Sequence, residues 1–201
     1  MLAAIFDLVR SRRLGPAEAG RLRETISRCV EQVEVRMVKE LVAKPALTAG
    51  DSVEFLTSGW KPVVFFFHLS RSAALEFRVG LGAGRVDVLR EFADECDGPA
   101  FWSARSALED LDRREARGSL VNFELGEGAD CEDARNLELA SLSISLIDEM
   151  PLRKALYCLH RVWFNERVSD IAMRFGVSRG NVSKVLRGSS CFVLAKLVGG
   201  A

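Results

Sequence analysis

The chain has 201 residues, 48% hydrophobic and 28% charged, with a formal net charge of zero. This places it among globular chains able to bury a sizeable core, and a balanced charge argues against a uniformly basic nucleic-acid binder. The balance is uneven along the chain, however. Leu152 to Ala201 holds nine Lys or Arg against two acids, Glu166 and Asp170, which leaves 19 basic and 26 acidic residues upstream. A basic module on an acidic body is the expected electrostatic footprint of a protein that meets nucleic acid through one end.

Leu2 to Val9 reads as a buried first strand interrupted by one acid, Asp7. Gly15-Pro16 introduces a long helix from about Ala17 to Leu41, with Leu22, Ile26, Cys29, Val30 and Val33 as its inward stripe. Ala46 to Thr48, Gly50-Asp51 and Ser52 to Leu56 read as strand, tight turn and strand. Trp60 to Ser72 reads as a helix after Pro62, although its phenylalanine run also suits a strand. Glu76 to Leu81 alternates as a strand, and the VGLGAG stretch at Val79 to Gly84 reads as a glycine turn between strands. It lacks the lysine and hydroxyl of a Walker loop, and its spacing is not GxGxxG.

Asp97-Gly98-Pro99 opens a helix to about Arg114, and Leu120 to Leu125 is a further strand. Gly126 to Asp133 reads as an acidic loop, with a helix after it from Asn136 to Asp148. Met150-Pro151 marks a boundary between residues 1–149 and 152–201. The order predicts an α+β or α/β first part, an α/β sandwich with helices packed mainly on one face of the sheet. The second part is a small all-α domain whose first helix, Leu152 to Glu166, supports a pair of shorter ones.

That pair is Val168 to Arg187, VSDIAMRFGVSRGNVSKVLR, which has the build of a helix-turn-helix. Ile171, Ala172 and Phe175 share one face of a first helix, Gly176 suits a sharp turn, and Ser178 suits the cap of a second helix. Val182, Val185 and Leu186 then point inward, leaving Ser178, Arg179, Gly180, Ser183, Lys184 and Arg187 outward. A recognition helix puts its N-terminal half into the major groove, so Arg179 and Lys184 are the side chains aimed at DNA. Arg174 and Arg187 would hold the backbone. The competing reading is a helical hairpin with a solvated basic face, serving as a protein-interaction adaptor.

Asp7 is costly to bury unless compensated, either by Arg10 or Arg12 or by a bound partner. Asp51 fits a hairpin turn. If the first strand and the hairpin are sheet neighbours, the two carboxylates converge as oxygen ligands for a divalent cation. Arg105 could meet phosphate or pair with Glu109 one turn on. The five cysteines show no CxxC spacing and read as reduced thiols of a cytoplasmic protein, and the two histidines lack ligand-like neighbours. The N-terminal apolar run is too short for a signal peptide, and Val63 to Leu69 is too short for a membrane span.

The segments IFDLVRSRRL, TAGDSVEFL, FRVGLGAGRV, DGPAFWSARSAL and the C-terminal helix pair, in that order over nearly the full length, resemble the SatD family of small prokaryotic proteins. The first part also resembles, more remotely, the class III nucleotidyl cyclases, whose sheet is cyclase/ferredoxin-like. That likeness implies magnesium or manganese on Asp7 and Asp51 and a nucleotide contact at Arg105. Phe101 stands where those enzymes carry an asparagine, and the chain around Leu47 is apolar where they carry a lysine. The combined expectation is a transcriptional regulator that binds double-stranded DNA. Its degenerate cyclase-like domain would sense a nucleotide or make a homodimer. The rival expectation is a metal-dependent nucleotidyl-transfer enzyme using Asp7 and Asp51.

Overall fold

The computed structural model describes residues 1–9, 15–48, 52–113 and 120–199. Arg10, Arg12 and Asp51 lie outside them. The first strand, β1 (Leu2–Leu8), leads to α1 (Pro16–Met37) and then to the pair β2 (Leu41–Leu47) and β3 (Ser52–Thr57). Next come α2 (Lys61–Ser72), β4 (Phe77–Ala83), α3 (Pro99–Arg113), β5 (Val121–Leu125) and α4 (Cys131–Asp148). The chain closes with α5 (Leu152–Val162), α6 (Val168–Arg174), α7 (Arg179–Leu186) and α8 (Ser189–Val198). This is an α+β protein with a five-stranded mixed sheet ordered β2-β3-β1-β4-β5. β1 is central and antiparallel to both neighbours, and β5 joins β4 in parallel. Among the described residues no helix is long and apolar enough to cross a membrane.

Because side chains alternate along a strand, β1 serves two cores. Ala4, Phe6 and Leu8 face one layer with α1, α2 and α4, while Ala3 and Ile5 face Ala100, Phe101 and Ala104 of α3. In the larger core Phe6 meets Phe66 at 4.8 Å, Phe55 at 5.6 Å and Phe77 at 5.9 Å between ring centroids, all edge-on. Such pairs add to what burial of the rings already contributes. Most helices thus share one face, and α3 alone covers the second.

Glycine makes that possible. Gly80 and Gly82 lie inside β4, not in a turn, and both point at α3. A Cβ at Gly82 would sit 2.1 Å from the Ala100 carbonyl oxygen, and one at Gly80 would sit 2.2 Å from that of Ala104. The stretch read as a glycine turn is thus the flat seat on which α3 rests.

Two other boundaries differ from expectation for identifiable reasons. β2 starts at Leu41 and carries irregular register around Lys44-Pro45, as an edge strand can tolerate a residue with no N–H. α4 starts at Cys131, inside the stretch read as an acidic loop, so that only Gly126 to Asp130 stay outside the helix. The Asp130 carboxylate accepts from Asp133 N at 2.8 Å, and the Asp133 carboxylate accepts from Asp130 N at 3.4 Å.

α2 is apolar almost all round, and its burial is explained by what encloses it. It packs against α1, α4 and α5. Its one buried ring with polar atoms, His68, is satisfied from α5 and the turn after it. Nε2 donates to the Ala155 carbonyl at 2.8 Å, and Nδ1 accepts from the Trp163 indole N–H at 3.0 Å. α5 and α8 thus share the main core with the sheet layer, and Cys158 and Cys191 join them in a disulfide. The expectation that all cysteines are isolated thiols fails there. The partners are 33 residues apart and become neighbours only when α8 folds back on α5.

Candidate functional site

The segment with the clearest outward chemistry is α6, its turn and α7. Gly176 takes φ +62, a conformation that side-chain-bearing residues rarely adopt. It lets Val177 N donate to the Ala172 carbonyl at 3.0 Å and close the turn. The Ser178 hydroxyl then accepts from Asn181 N at 3.1 Å and caps α7. Ile171, Ala172 and Val182 are buried together with Tyr157 of α5, and Val185 and Leu186 are partly buried beside them. Ala172 is only 4% exposed, which fits the need for a small residue where the helices approach.

This packing leaves Ser178, Arg179, Gly180, Asn181, Ser183, Lys184 and Arg187 in solvent. Arg174 is exposed as well but engaged: its Nη2 and Nε donate to the Glu166 carboxylate at 2.7 and 3.2 Å. His160 Nδ1 meets the same carboxylate at 3.1 Å. Burial pushes the Glu166 carboxyl up, but hydrogen bonds from Arg174 and His160, with their charges, hold it below the ordinary range. Asp170, the other acid of this region, accepts from Arg167 N at 3.2 Å. Both local carboxylates are therefore occupied, and among the described residues none faces Arg179 or Lys184.

The acidic end of β1 is built differently. Asp7 lies opposite Ser52 of β3 and Arg78 of β4. The Arg78 guanidinium is paired with its carboxylate, and Ser52 Oγ donates to Oδ1 at 3.3 Å. Arg78 is a compensating cation that the sequence reading missed. The alternation of FRVG places its side chain on the same sheet face as Asp7, so cross-strand register was the signal that could have found it. Asp51, the expected metal partner, is outside the described residues. Among the described residues no group of three or more His, Cys, Asp or Glu side chains could hold a metal ion.

Arg105 is about half exposed and donates to Asp97 Oδ1 at 3.3 Å, with its guanidinium 5.9 Å from the Phe101 ring centroid. Phe101 itself is fully buried under α3. Nearby Glu54 has its carboxyl raised by burial, against the lowering influence of Arg105. Arg105 therefore stands on the α3 face of the sheet, the face that also carries Glu54, Asp7 and Arg78.

The model of the SatD family matches residues 1–138. The chain belongs to the SatD family. The match runs from β1 into α4, so the SatD signature covers the sheet, α1 to α3 and the Asp7 and Arg105 positions. The resemblance read over nearly the whole length narrows accordingly, and α5 to α8 lie beyond the matched part. No curated protein and no solved structure matches this SatD chain.

Proposed function

We propose that this SatD-family chain is a DNA-binding transcriptional regulator, with α6 and α7 as a helix-turn-helix and α7 as the helix entering the major groove. The observation that carries the reading is the division of α7: Val182 is buried while Arg179, Ser183 and Lys184 are exposed, with Arg187 exposed just beyond them. In that role Arg179 and Lys184 meet bases or phosphates from the first turns of α7. Arg187 and the Ser178 end of the helix hold the backbone, and Arg174 positions Glu166 as much as it positions DNA.

The sheet part acts in this reading as a degenerate cyclase-like domain. Support comes from the strand order β2-β3-β1-β4, in which β1 and β2, joined by α1, run parallel with β3 between them. Its role is to dimerise the cytoplasmic protein or sense a nucleotide near Arg105. Dimerisation would set two copies of α7 at neighbouring half-sites of duplex DNA. Magnesium- or manganese-dependent nucleotidyl transfer is disfavoured, because Arg78 already supplies the positive charge at Asp7.

The test is anisotropy titration of a labelled duplex from the gene's own upstream region. Three phosphate-neutralising side chains predict a slope of log affinity against log salt of about −2.7 per protomer. Arg179→Ala with Lys184→Ala should flatten that slope and weaken binding, with melting shifted by less than about 0.5 kcal/mol. Unchanged affinity in the folded double variant refutes the assignment of α7.

A further inference from the structure

We infer that the cleft between α5, α7 and α8 is a binding site for a small organic carboxylate with an apolar body. The cleft measures about 310 Å³, at the small end of ligand cavities. Its apolar floor is formed by Leu186 at the end of α7 with Cys191 and Ala195 of α8, and Phe192 stands at its rim. Arg161, Asn165 and Lys196 supply its polar groups, and no acidic side chain lines it.

Charge decides the ligand class. Arg161 spends one N–H on the Glu166 carbonyl oxygen, from Nη1 at 3.2 Å, and keeps others for an incoming acceptor. Lys196 Nζ lies 5.6 Å from the Phe192 ring centroid and, among the described residues, has no carboxylate partner. The two acids nearest in sequence are held elsewhere, Glu166 by Arg174 and His160 and Asp170 by the start of α6. Among the described residues, an anion entering here thus meets two cations without displacing an ion pair. A bare phosphate would leave the apolar floor uncovered, and a neutral hydrocarbon would leave the cations with water.

The walls are also fixed before any ligand arrives. The disulfide between Cys158 and Cys191 holds α8 to α5 with their Cα atoms 5.6 Å apart. Lys154 Nζ donates to the Arg187 carbonyl at 3.1 Å and ties down the end of α7. A site whose walls need no ordering loses less affinity to entropy.

The experiment is calorimetric titration of the full chain, disulfide intact and DNA absent, with octanoate, octanol, acetate and inorganic phosphate. Octanoate should bind saturably, with octanol, acetate and phosphate each at least about tenfold weaker, the margin expected of charge-assisted hydrogen bonds and a filled apolar floor. Lys196→Met should cost octanoate about tenfold or more while leaving ligand-free melting unchanged. Ala195→Phe should abolish binding by filling the floor. Octanol or phosphate binding as tightly as octanoate, full affinity in Lys196→Met, or no octanoate binding to the wild type overturns the assignment. Since no arm contains DNA, failure of the regulator reading would leave this result standing, and the reverse holds too.

Discussion

Gly82→Ala is a one-methyl change whose consequence is set directly by the α3–β4 contact. The added Cβ would sit 2.1 Å from the Ala100 carbonyl oxygen, 2.4 Å from Ala104 N and 3.0 Å from the Ser103 carbonyl carbon. All three are backbone atoms of one helix, so no side-chain rotation relieves them. To restore contact at about 3.5 Å, α3 must withdraw by roughly 1.4 Å, and a gap of even 0.5–1 Å already forfeits about a quarter to a half of each attractive contact. The contacts at risk are those of Ala100, Phe101 and Ala104, which are fully buried beneath α3. Overpacking of this kind costs about 1–3 kcal/mol where side chains can adjust, and here they cannot, so about 3–4 kcal/mol is expected. With a urea dependence of about 2–3 kcal/mol/M, the unfolding midpoint should fall by roughly 1–2 M. Gly20→Ala is the control. Gly20 lies within α1 with nothing within 4 Å of its added Cβ, and alanine there should stabilise by about 0.5–1 kcal/mol. Urea unfolding monitored by far-ultraviolet circular dichroism reads both. A Gly82→Ala midpoint equal to the wild type's would refute the close seat of α3 on β4, and with it the reason for two glycines in the strand.

Ala172→Glu should destabilise the α6–α7 unit by several kcal/mol, since it forces an unpaired charge into a buried contact; normal melting of that variant would show the helix register to be wrong. His68, pushed down to about 4 by burial, makes stability fall with acidity. Its folded value lies below the unfolded value of about 6.5, so below that pH the unfolded chain takes up a proton that the native ring refuses. Between about pH 6.5 and 5 this removes up to about 2 kcal/mol, and His68→Gln should flatten that part of the pH–melting curve. Equal slopes in variant and wild type would refute the neutral, doubly bonded ring.

What the sequence made legible was whatever depends on neighbours within one element. The short apolar run of β1 and the turn at Gly176 with its capping Ser178 can each be read from local sequence alone, and the structure has strand and turn in those places. Pro62 favoured a helix for the apolar run that became α2, which its phenylalanines left open to a strand. What depends on a second element was not legible. Gly80 and Gly82 look like turn residues until α3 is laid across them. The sheet's two-sidedness is hidden too, because Ala3 and Ile5 are as apolar as Ala4 and Phe6 and do not say what covers them. Cys158 and Cys191 carry no motif, and α8, which brings them together, has no strong start signal after Gly188.

The same distinction bears on the two halves of the proposed site. The face of α7 is local: one buried valine and a cap set which side chains point outward, so the sequence reading and the geometry agree on Arg179, Ser183 and Lys184. The environment of Asp7 is non-local, because it depends on which strands flank β1. Sequence proximity pointed to Arg10 or Arg12, which lie outside the described residues, and strand order adds Arg78 opposite it, 71 residues away. An aspartate already paired with arginine presents a metal ion with a competitor, since binding must first break an ion pair in a half-buried setting. The two ends of the protein thus differ physically: among the described residues Arg179 and Lys184 have no carboxylate partner, while the Asp7 carboxylate already has one in Arg78.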